Sequence, residues 1–241
     1  MEKQDKIYEE GNVSGLPFSF NQEVTEVFED MIDRSVPGYN TTLRIIKQQT
    51  KNHYVEGTNI YDLGCSLGAS TSSLLNALNG KSKVTAIDNS ESMVRVCKER
   101  FSKYINAGQV NFLKEDISNS EISNASIVVI NFVLQFLSIK ERVKLMQKIY
   151  QGLVPGGILI LSEKVHFDSK KRTEEISNIH HSFKAANGYS KLEISSKRDS
   201  LEGVLVTETE SQHLDRAKEI GFKVPSKLMS NLNFLTYKFQ K

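Results

Sequence analysis

Several things are scarce in this sequence, and each scarcity removes a class of function. Only two cysteines, Cys65 and Cys97, occur in 241 residues, with neither metal-ligand spacing nor the set needed for a disulfide framework. No metal is therefore expected, and a reducing cytoplasm is. The opening residues Met1-Glu2-Lys3-Gln4-Asp5-Lys6 carry no apolar core, so no secretory signal is expected. The longest apolar run, from Ile127 to Leu137, is interrupted by Asn131 and Gln135. It falls short of the ~20 residues that cross a bilayer, so no membrane partner is expected. An excess of positive charge is missing as well: 31 Lys and Arg stand against 29 Asp and Glu, a net charge of +2. Proteins that grip tRNA or duplex DNA through phosphates carry a pronounced basic face, so no direct tRNA binding is expected. Neither an internal repeat nor a low-complexity segment is present.

What remains is a chain with the composition of an ordinary globular protein, 39% hydrophobic and 25% charged, able to bury one sizeable core. Val24, Val27, Phe28, Met31 and Ile32 repeat at helical spacing behind Asn21, an N-cap residue, and Pro37-Gly38 ends the pattern. A second helix is predicted over 39–53. Strands are then predicted near 58–63, 83–87, 110–114, 125–131 and 157–162, alternating with helices near 68–79, 91–104 and 140–152. Ile127-Val128-Val129-Ile130 and Ile158-Leu159-Ile160-Leu161 are continuously apolar, as strands covered on both faces of a parallel sheet are. The alternation predicts an α/β fold with a doubly wound, mostly parallel sheet. Residues 165–207 break the rhythm and are read as a lid or dimerisation insertion. A helix near 210–220, stopped by Gly221-Phe222, and a closing strand near 232–239 complete the reading. The organisation expected is one domain over 1–241, with an N-terminal helical segment at 21–53 and the insertion at 165–207.

The chemistry is concentrated at the strand ends. Ile60-Tyr61-Asp62-Leu63-Gly64-Cys65-Ser66-Leu67-Gly68 is an apolar strand running into a small-residue turn, and the next strand ends in Asp88-Asn89-Ser90. A glycine-bearing turn lets backbone amides approach a ligand, and an acid at the second strand end is placed to accept from both ribose hydroxyls. An adenosine-containing ligand follows. Gly64-Cys65-Ser66-Leu67-Gly68 also matches a hydrolase nucleophile elbow at Ser66, but such an elbow follows several strands, and here it follows the first. A dinucleotide fingerprint would need a third glycine where Ala69-Ser70-Thr71 stands. Glu115-Asp116-Ile117, for an adenine amino group and ring face, and Asn131-Phe132, for an amino-acid end, favour S-adenosylmethionine.

Beyond the pocket pattern, the sequence resembles the carboxy-S-adenosyl-L-methionine synthases (CmoA). The matching blocks include Glu26-Val27-Phe28-Glu29-Asp30-Met31-Ile32 with Arg34-Ser35-Val36-Pro37-Gly38-Tyr39, Tyr61 to Ala69, Ile87 to Ser90 and Asn124-Ala125-Ser126. They continue through Asn131-Phe132 with Leu134-Gln135-Phe136-Leu137, then Leu161-Ser162-Glu163-Lys164, and finally Asn187-Gly188-Tyr189-Ser190 with Leu192-Glu193-Ile194-Ser195 and Lys197-Arg198. The likeness spans about residues 20 to 222. It departs at Ala185, where the family pattern shows Arg, and around Leu228 to Phe234, where only Asn233-Phe234 is kept.

The resemblance implies a class I S-adenosylmethionine-dependent methyltransferase fold and a homodimer. It implies that Tyr39, Gly64, Cys65, Ser66, Asp88, Asn89, Asp116, Ile117 and Asn131 contact the S-adenosyl ligand. Arg198 would meet an added carboxylate, for which a guanidinium fork is suited. The implied reaction takes prephenate and S-adenosylmethionine to carboxy-S-adenosylmethionine and phenylpyruvate, for 5-oxyacetyl uridine formation at the tRNA wobble position. Prephenate loses carbon dioxide and hydroxide as its ring aromatises, hydroxide takes a methyl proton, and the methyl carbon captures the carbon dioxide. No dedicated general base is needed. The alternatives are a methyltransferase acting on a small molecule or RNA, and a non-catalytic carrier. Asn131-Phe132-Val133-Leu134 lacks the Pro-Pro-aromatic sequence that would favour amino-group methylation. No role follows from the sequence for His180 or His181.

Overall fold

The computed structural model describes residues 3–9, 17–80, 83–223 and 225–241. At its centre lie parallel strands, the middle ones apolar towards both faces. β1 (Asn59–Leu63), β2 (Val84–Asp88), β3 (Val110–Lys114), β4 (Ala125–Asn131) and β5 (Leu153–His166) run parallel in the order β3-β2-β1-β4-β5. Ile127 to Ile130 and Ile158 to Leu161 are wholly buried, which places them mid-sheet with helices on either side. The sheet ends in an antiparallel hairpin, β7 (Ser226–Asn231) and β8 (Phe234–Gln240), with β8 against β5. The two-residue β6 (Glu208–Thr209) pairs with the end of β5.

The crossovers are α3 (Ala69–Leu78), α4 (Glu91–Arg100) with the short α5 (Ser102–Asn106), and α6 (Ile139–Gly152). Ahead of the sheet come α1 (Gln22–Ser35) and α2 (Tyr39–His53). After β5 come α7 (Lys170–Ala186) and α8 (Lys191–Leu201), then α9 (Glu210–Ile220). Local chemistry explains most boundaries. Asn21 Oδ1 accepts from Val24 N at 3.0 Å to start α1. Ser138, Ser190 and Thr209 each form a reciprocal cap with the residue three positions on, fixing the starts of α6, α8 and α9.

Three predicted elements differ. The helix expected over 91–104 is divided at Phe101, whose ring packs beneath the β1–α3 turn. The strand expected at 157–162 is the middle of a 14-residue strand. The closing strand is half of a hairpin. Its partner β7 is an exposed edge with the polar sequence Ser-Lys-Leu-Met-Ser-Asn, which carries no apolar alternation to announce it. The segment 165–207 folds as the end of β5 followed by α7 and α8. Among the described residues no helix is long and apolar enough to cross a membrane.

Candidate active site

A cavity of about 380 Å³ opens where the carboxyl ends of the parallel strands meet α1, α2, α7 and α8. At one end it is built from turns. Gly64 has φ 76°, and a Cβ there would meet Val133 Cγ2 at 2.5 Å, so only glycine fits. Gly68 is excluded from carrying a side chain for a different reason: a Cβ would strike the Phe101 ring at 2.6 Å. Its smallness serves the packing of turn against helix rather than ligand approach. Between them Ser66 is held at φ 47°, an uncommon conformation for a residue with a side chain. Two groups keep it there. Ser66 N donates to Asp88 Oδ2 at 2.8 Å, and Cys97 Sγ donates to Ser66 O at 3.1 Å.

Asp88 therefore shapes the turn as well as facing the cavity. Its Oδ1 accepts from Ser90 N at 2.9 Å, and each carboxylate oxygen retains lone-pair capacity for a ribose hydroxyl. Burial pushes the Asp88 carboxyl up, opposed by the amides of Ser90 and Ser66. Cys65 lines the turn, and its thiol is held protonated by the hydrogen bond with Cys97 and by burial. The neighbouring Asp62 accepts from Thr71 Oγ1 at 2.6 Å, tying β1 to α3, and burial pushes its carboxyl up to about 7.

Asp116 and Ile117 follow β3. Asp116 Oδ1 accepts from Ser118 N at 2.8 Å, so the residue forms its own turn and still presents Oδ2. At the end of β4, Asn131 Nδ2 donates to Ser70 Oγ at 3.1 Å, while the buried Oδ1 has no partner. An unpartnered buried carbonyl oxygen facing a cavity fits a ligand ammonium group. Tyr39, at the start of α2, lies against Phe132, which is held at φ 63° and packs edge-on against Phe234 of β8. Gly64, Asp88, Asp116 and Asn131 thus run along adjacent strands as acceptors and approachable backbone, matching the nucleoside and amino-acid ends of an S-adenosyl ligand.

The other end is built from α7, α8, β5 and β8. It carries Lys164, Lys184, Lys197, His180 and Phe234. His180 Nε2 donates to the Ser35 carbonyl at 2.7 Å, and burial pushes the ring down to about 3, so it is neutral. Asn187 Nδ2 donates to Arg34 O at 3.3 Å, and the Arg34 guanidinium lies 3.9 Å from the centre of the Tyr189 ring. Tyr189 donates its hydroxyl to Asp5 Oδ2 at 2.5 Å, and Arg34 Nη2 donates to Asp5 O at 2.7 Å. The Arg34-Ser35 and Asn187-Gly188-Tyr189 blocks, far apart in sequence, are one contact. Glu163, before Lys164 on β5, accepts from the amides of Val133, Leu134 and Gln135 and fixes the turn after β4. Burial pushes its carboxyl up to about 8 against those donors and Arg142.

Tyr39, Gly64, Cys65, Ser66, Asp88, Asn89, Asp116, Ile117 and Asn131 all line the cavity. Arg198 does not line it in the protomer. It lies on the outer face of α8, 63% exposed, with Nη2 2.9 Å from Asp199 Oδ1. Helix periodicity accounts for this, since the preceding Lys197 takes the inward position. Lys184 and Lys197 lie on helices and have no strand-end pattern to mark them, Lys164 lies beyond the strand expected at 157–162, and His180 has as its partner a backbone carbonyl 145 positions away. Ser66 is not a hydrolase nucleophile: among the described residues, His180 is the histidine lining the cavity, and its Nε2 is bonded to Ser35.

A methyltransferase-domain family model matches residues 60–157, from β1 into β5. The pyocyanin biosynthetic protein PhzM superposes with a TM-score of 0.64 at 13% identity, covering 99% of this chain and 62% of that one. Human N-acetylserotonin methyltransferase in complex with S-adenosylmethionine gives 0.60 at 15% identity, covering 91% of this chain and 55% of that one. Those likenesses establish the fold. Carboxy-S-adenosyl-L-methionine synthase of Psychromonas ingrahamii is 45% identical over 224 residues, 92% of this chain and 93% of the relative. The synthase of Hydrogenovibrio crunogenus is 44% identical over 234 residues, 97% and 93%. That of Vibrio campbellii is 48% identical over 206 residues, 85% and 84%. Placed on the class I S-adenosylmethionine-dependent methyltransferase fold, with likeness at this level along nearly its whole length, this chain belongs to the carboxy-S-adenosyl-L-methionine synthase family.

Proposed function

We propose that this protein transfers the carboxyl group of prephenate to the methyl carbon of S-adenosylmethionine, releasing carboxy-S-adenosylmethionine, phenylpyruvate and water. The observation that carries the reading is the character of the cavity's second end. An anionic carboxyl donor needs cations beside it, and here Lys164, Lys184 and Lys197 converge, next to a histidine whose Nε2 is bonded to a carbonyl. The reaction supplies its own base, because the hydroxide lost from prephenate takes the methyl proton. The tasks left to the protein are to hold two ligands in line, exclude water and stabilise the carboxylates. Asp88 and Asp116 hold ribose and adenine, Asn131 Oδ1 accepts from the ammonium group, and Tyr39, Phe132 and Phe234 form a dry wall beside the reacting carbon.

Incubation with S-adenosylmethionine and prephenate carboxyl-labelled with heavy carbon tests this. A labelled S-adenosyl product heavier by one carboxyl is expected by mass spectrometry. S-adenosylhomocysteine with a methylated acceptor would instead assign the protein to the methyltransferases.

The same reading makes 165–207 a lid, the protein a cytoplasmic homodimer, and its product a precursor for wobble-uridine modification carried out elsewhere. Ile179 on α7 and Leu192 on α8, 45% and 56% exposed, support a second copy on this face. Arg198 then serves the product carboxylate from the neighbouring copy. Arg198→Ala is expected to weaken carboxy-S-adenosylmethionine by about 2–4 kcal/mol and leave S-adenosylmethionine untouched in calorimetry. Equal loss for both ligands would remove Arg198 from that role. The net charge of +2 supports indifference to tRNA, checked by salt-dependent binding to a tRNA probe.

A further inference from the structure

Lys164 at the end of β5, Lys184 on α7 and Lys197 on α8 converge on the cavity from three separate elements. Lys184 and Lys197 are buried, 9% and 7% exposed. Buried ammonium groups are costly unless matched by carboxylates, and the match here is incomplete. Lys197 Nζ lies 3.8 Å from Asp5 Oδ2 and 3.4 Å from Ser35 Oγ. That Asp5 oxygen already takes the Tyr189 hydroxyl. Lys164 Nζ faces the Phe234 ring, 5.8 Å from its centre. Among the described residues, Lys184 Nζ has neither a hydrogen bond nor an ion pair.

We propose that Lys164, Lys184 and Lys197 form the carboxylate-binding site for the second substrate, a compact ring-bearing dianion such as prephenate. The assignment rests on the carboxyl-transfer reading given above. Three further observations support it. The first is position: along the sheet, Asp116, Asp88, Gly64 and Asn131 follow β3, β2, β1 and β4, and Lys164 on β5 is next in line beyond the amino-acid end of the first ligand. The second is charge. Asp5 balances Lys197, leaving Lys164 and Lys184 opposite two carboxylates. The third is the floor between them, where Phe132 and Phe234 meet edge to face with ring centres 5.7 Å apart, a surface suited to a flat carbocycle. Burial, reinforced by the fields of Lys197 and Lys164, pushes Lys184 down to about 7. Burial likewise pushes Lys197 down to about 8, with Asp5 pulling the other way. A bound dianion would reverse both.

Lys164→Met and Lys184→Met test the assignment, read by calorimetric titration of prephenate into protein saturated with S-adenosylhomocysteine and by steady-state KM. Each is expected to weaken prephenate about ten- to a hundredfold, with S-adenosylhomocysteine affinity within about twofold of the parent. The preference for prephenate over the monoanion phenylpyruvate should shrink in both. Because a functional buried charge opposes folding, Lys184→Met should hold or raise the melting temperature of the ligand-free protein. A marked fall would make Lys184 structural and overturn its role. Unchanged prephenate affinity and KM in both variants, with normal turnover by the parent, would overturn the site while leaving carboxyl transfer intact. Lysine-dependent prephenate binding without a carboxylated product would do the reverse. A parent protein that binds no prephenate would sink both.

Discussion

The cavity's two ends are made in opposite ways. The end proposed for the nucleoside is made of turns at the ends of strands, and each lining residue lies within a few residues of the strand that positions it: Gly64 and Ser66 after β1, Asp88 and Asn89 at β2, Asp116 after β3, Asn131 at β4. The far end is made of side chains borrowed from elements that meet only in the folded chain: Lys164, Lys184, Lys197 and Phe234. The first end holds its shape by backbone amides bonded to acids. The second holds by packing and by buried ionic contacts.

The comparison is broken most severely by attacking the ionic contacts that return the chain from α8 to the sheet. Glu208 accepts from Arg142 Nη1 at 2.6 Å and is also paired with Arg216, all three being buried. Burial opposes the charge, but the two arginines hold the Glu208 carboxyl below its usual range. Glu208→Ala strands two buried guanidinium groups and should cost about 3–5 kcal/mol in denaturant unfolding. A loss under about 1 kcal/mol would mean that the return of the chain from α8 to the sheet does not depend on these ions.

Next in size is Asp88→Ala. It removes two ribose acceptors and also releases the amides of Ser66 and Ser90. S-adenosylmethionine and its carboxylated product should both weaken by about 3 kcal/mol, roughly a hundredfold, since the ribose is common to them. Calorimetry checks this, and an effect confined to one ligand would misplace the ribose.

The smallest effect sharpens the contrast through pH. A dianion favours the ammonium form, so prephenate binding takes up protons wherever free lysines are partly neutral. Lys184 at about 7 and Lys197 at about 8 place that range near neutrality. Prephenate affinity should be highest below pH 7 and fall between pH 7 and 9, by at most about tenfold per pH unit for each proton taken up. His180, at about 3, stays neutral throughout. Lys184→Met should flatten the early part of the fall; an unchanged profile would assign the titration to other groups. S-adenosylhomocysteine, held at the other end, should not follow this curve.

The same division decided what could be read from the sequence. The strands and crossovers carried apolar runs of the right length, and Asp88, Asp116 and Asn131 sat at fixed offsets from them, so their place on the cavity was legible in the sequence. β7 could not, because a polar exposed edge has no pattern. The resemblance singles out Arg198 and not its neighbour Lys197; only the packing of α8 turns Lys197 inward and leaves Arg198 in solvent. His180 and Lys184 share a face of α7 with i, i+4 spacing, which is equally the spacing of a structural stripe. Their meaning comes from Ser35, Lys164 and Phe234, none of which is near them in the chain.

The contact among Asp5, Arg34 and Tyr189 has a consequence for rates as well as for shape. Asp5 joins the N-terminal segment to Tyr189 ahead of α8, Arg34 joins α1 to both, and Tyr8 Oη lies 2.9 Å from Ser200 Oγ of α8. The N-terminal segment and the α7–α8 pair are thus fastened to each other, and none of Asp5, Arg34, Tyr189 or Tyr8 lines the cavity. If ligands pass between these elements, Tyr189→Phe is expected to quicken both association and dissociation of S-adenosylhomocysteine in stopped-flow measurements, separately from how tightly the pocket holds it; unchanged rates would leave this clasp a purely structural one. Loosening the clasp would quicken entry and escape together, leaving equilibrium affinity nearly unmoved while letting a reactive carboxyl fragment meet water before it meets carbon.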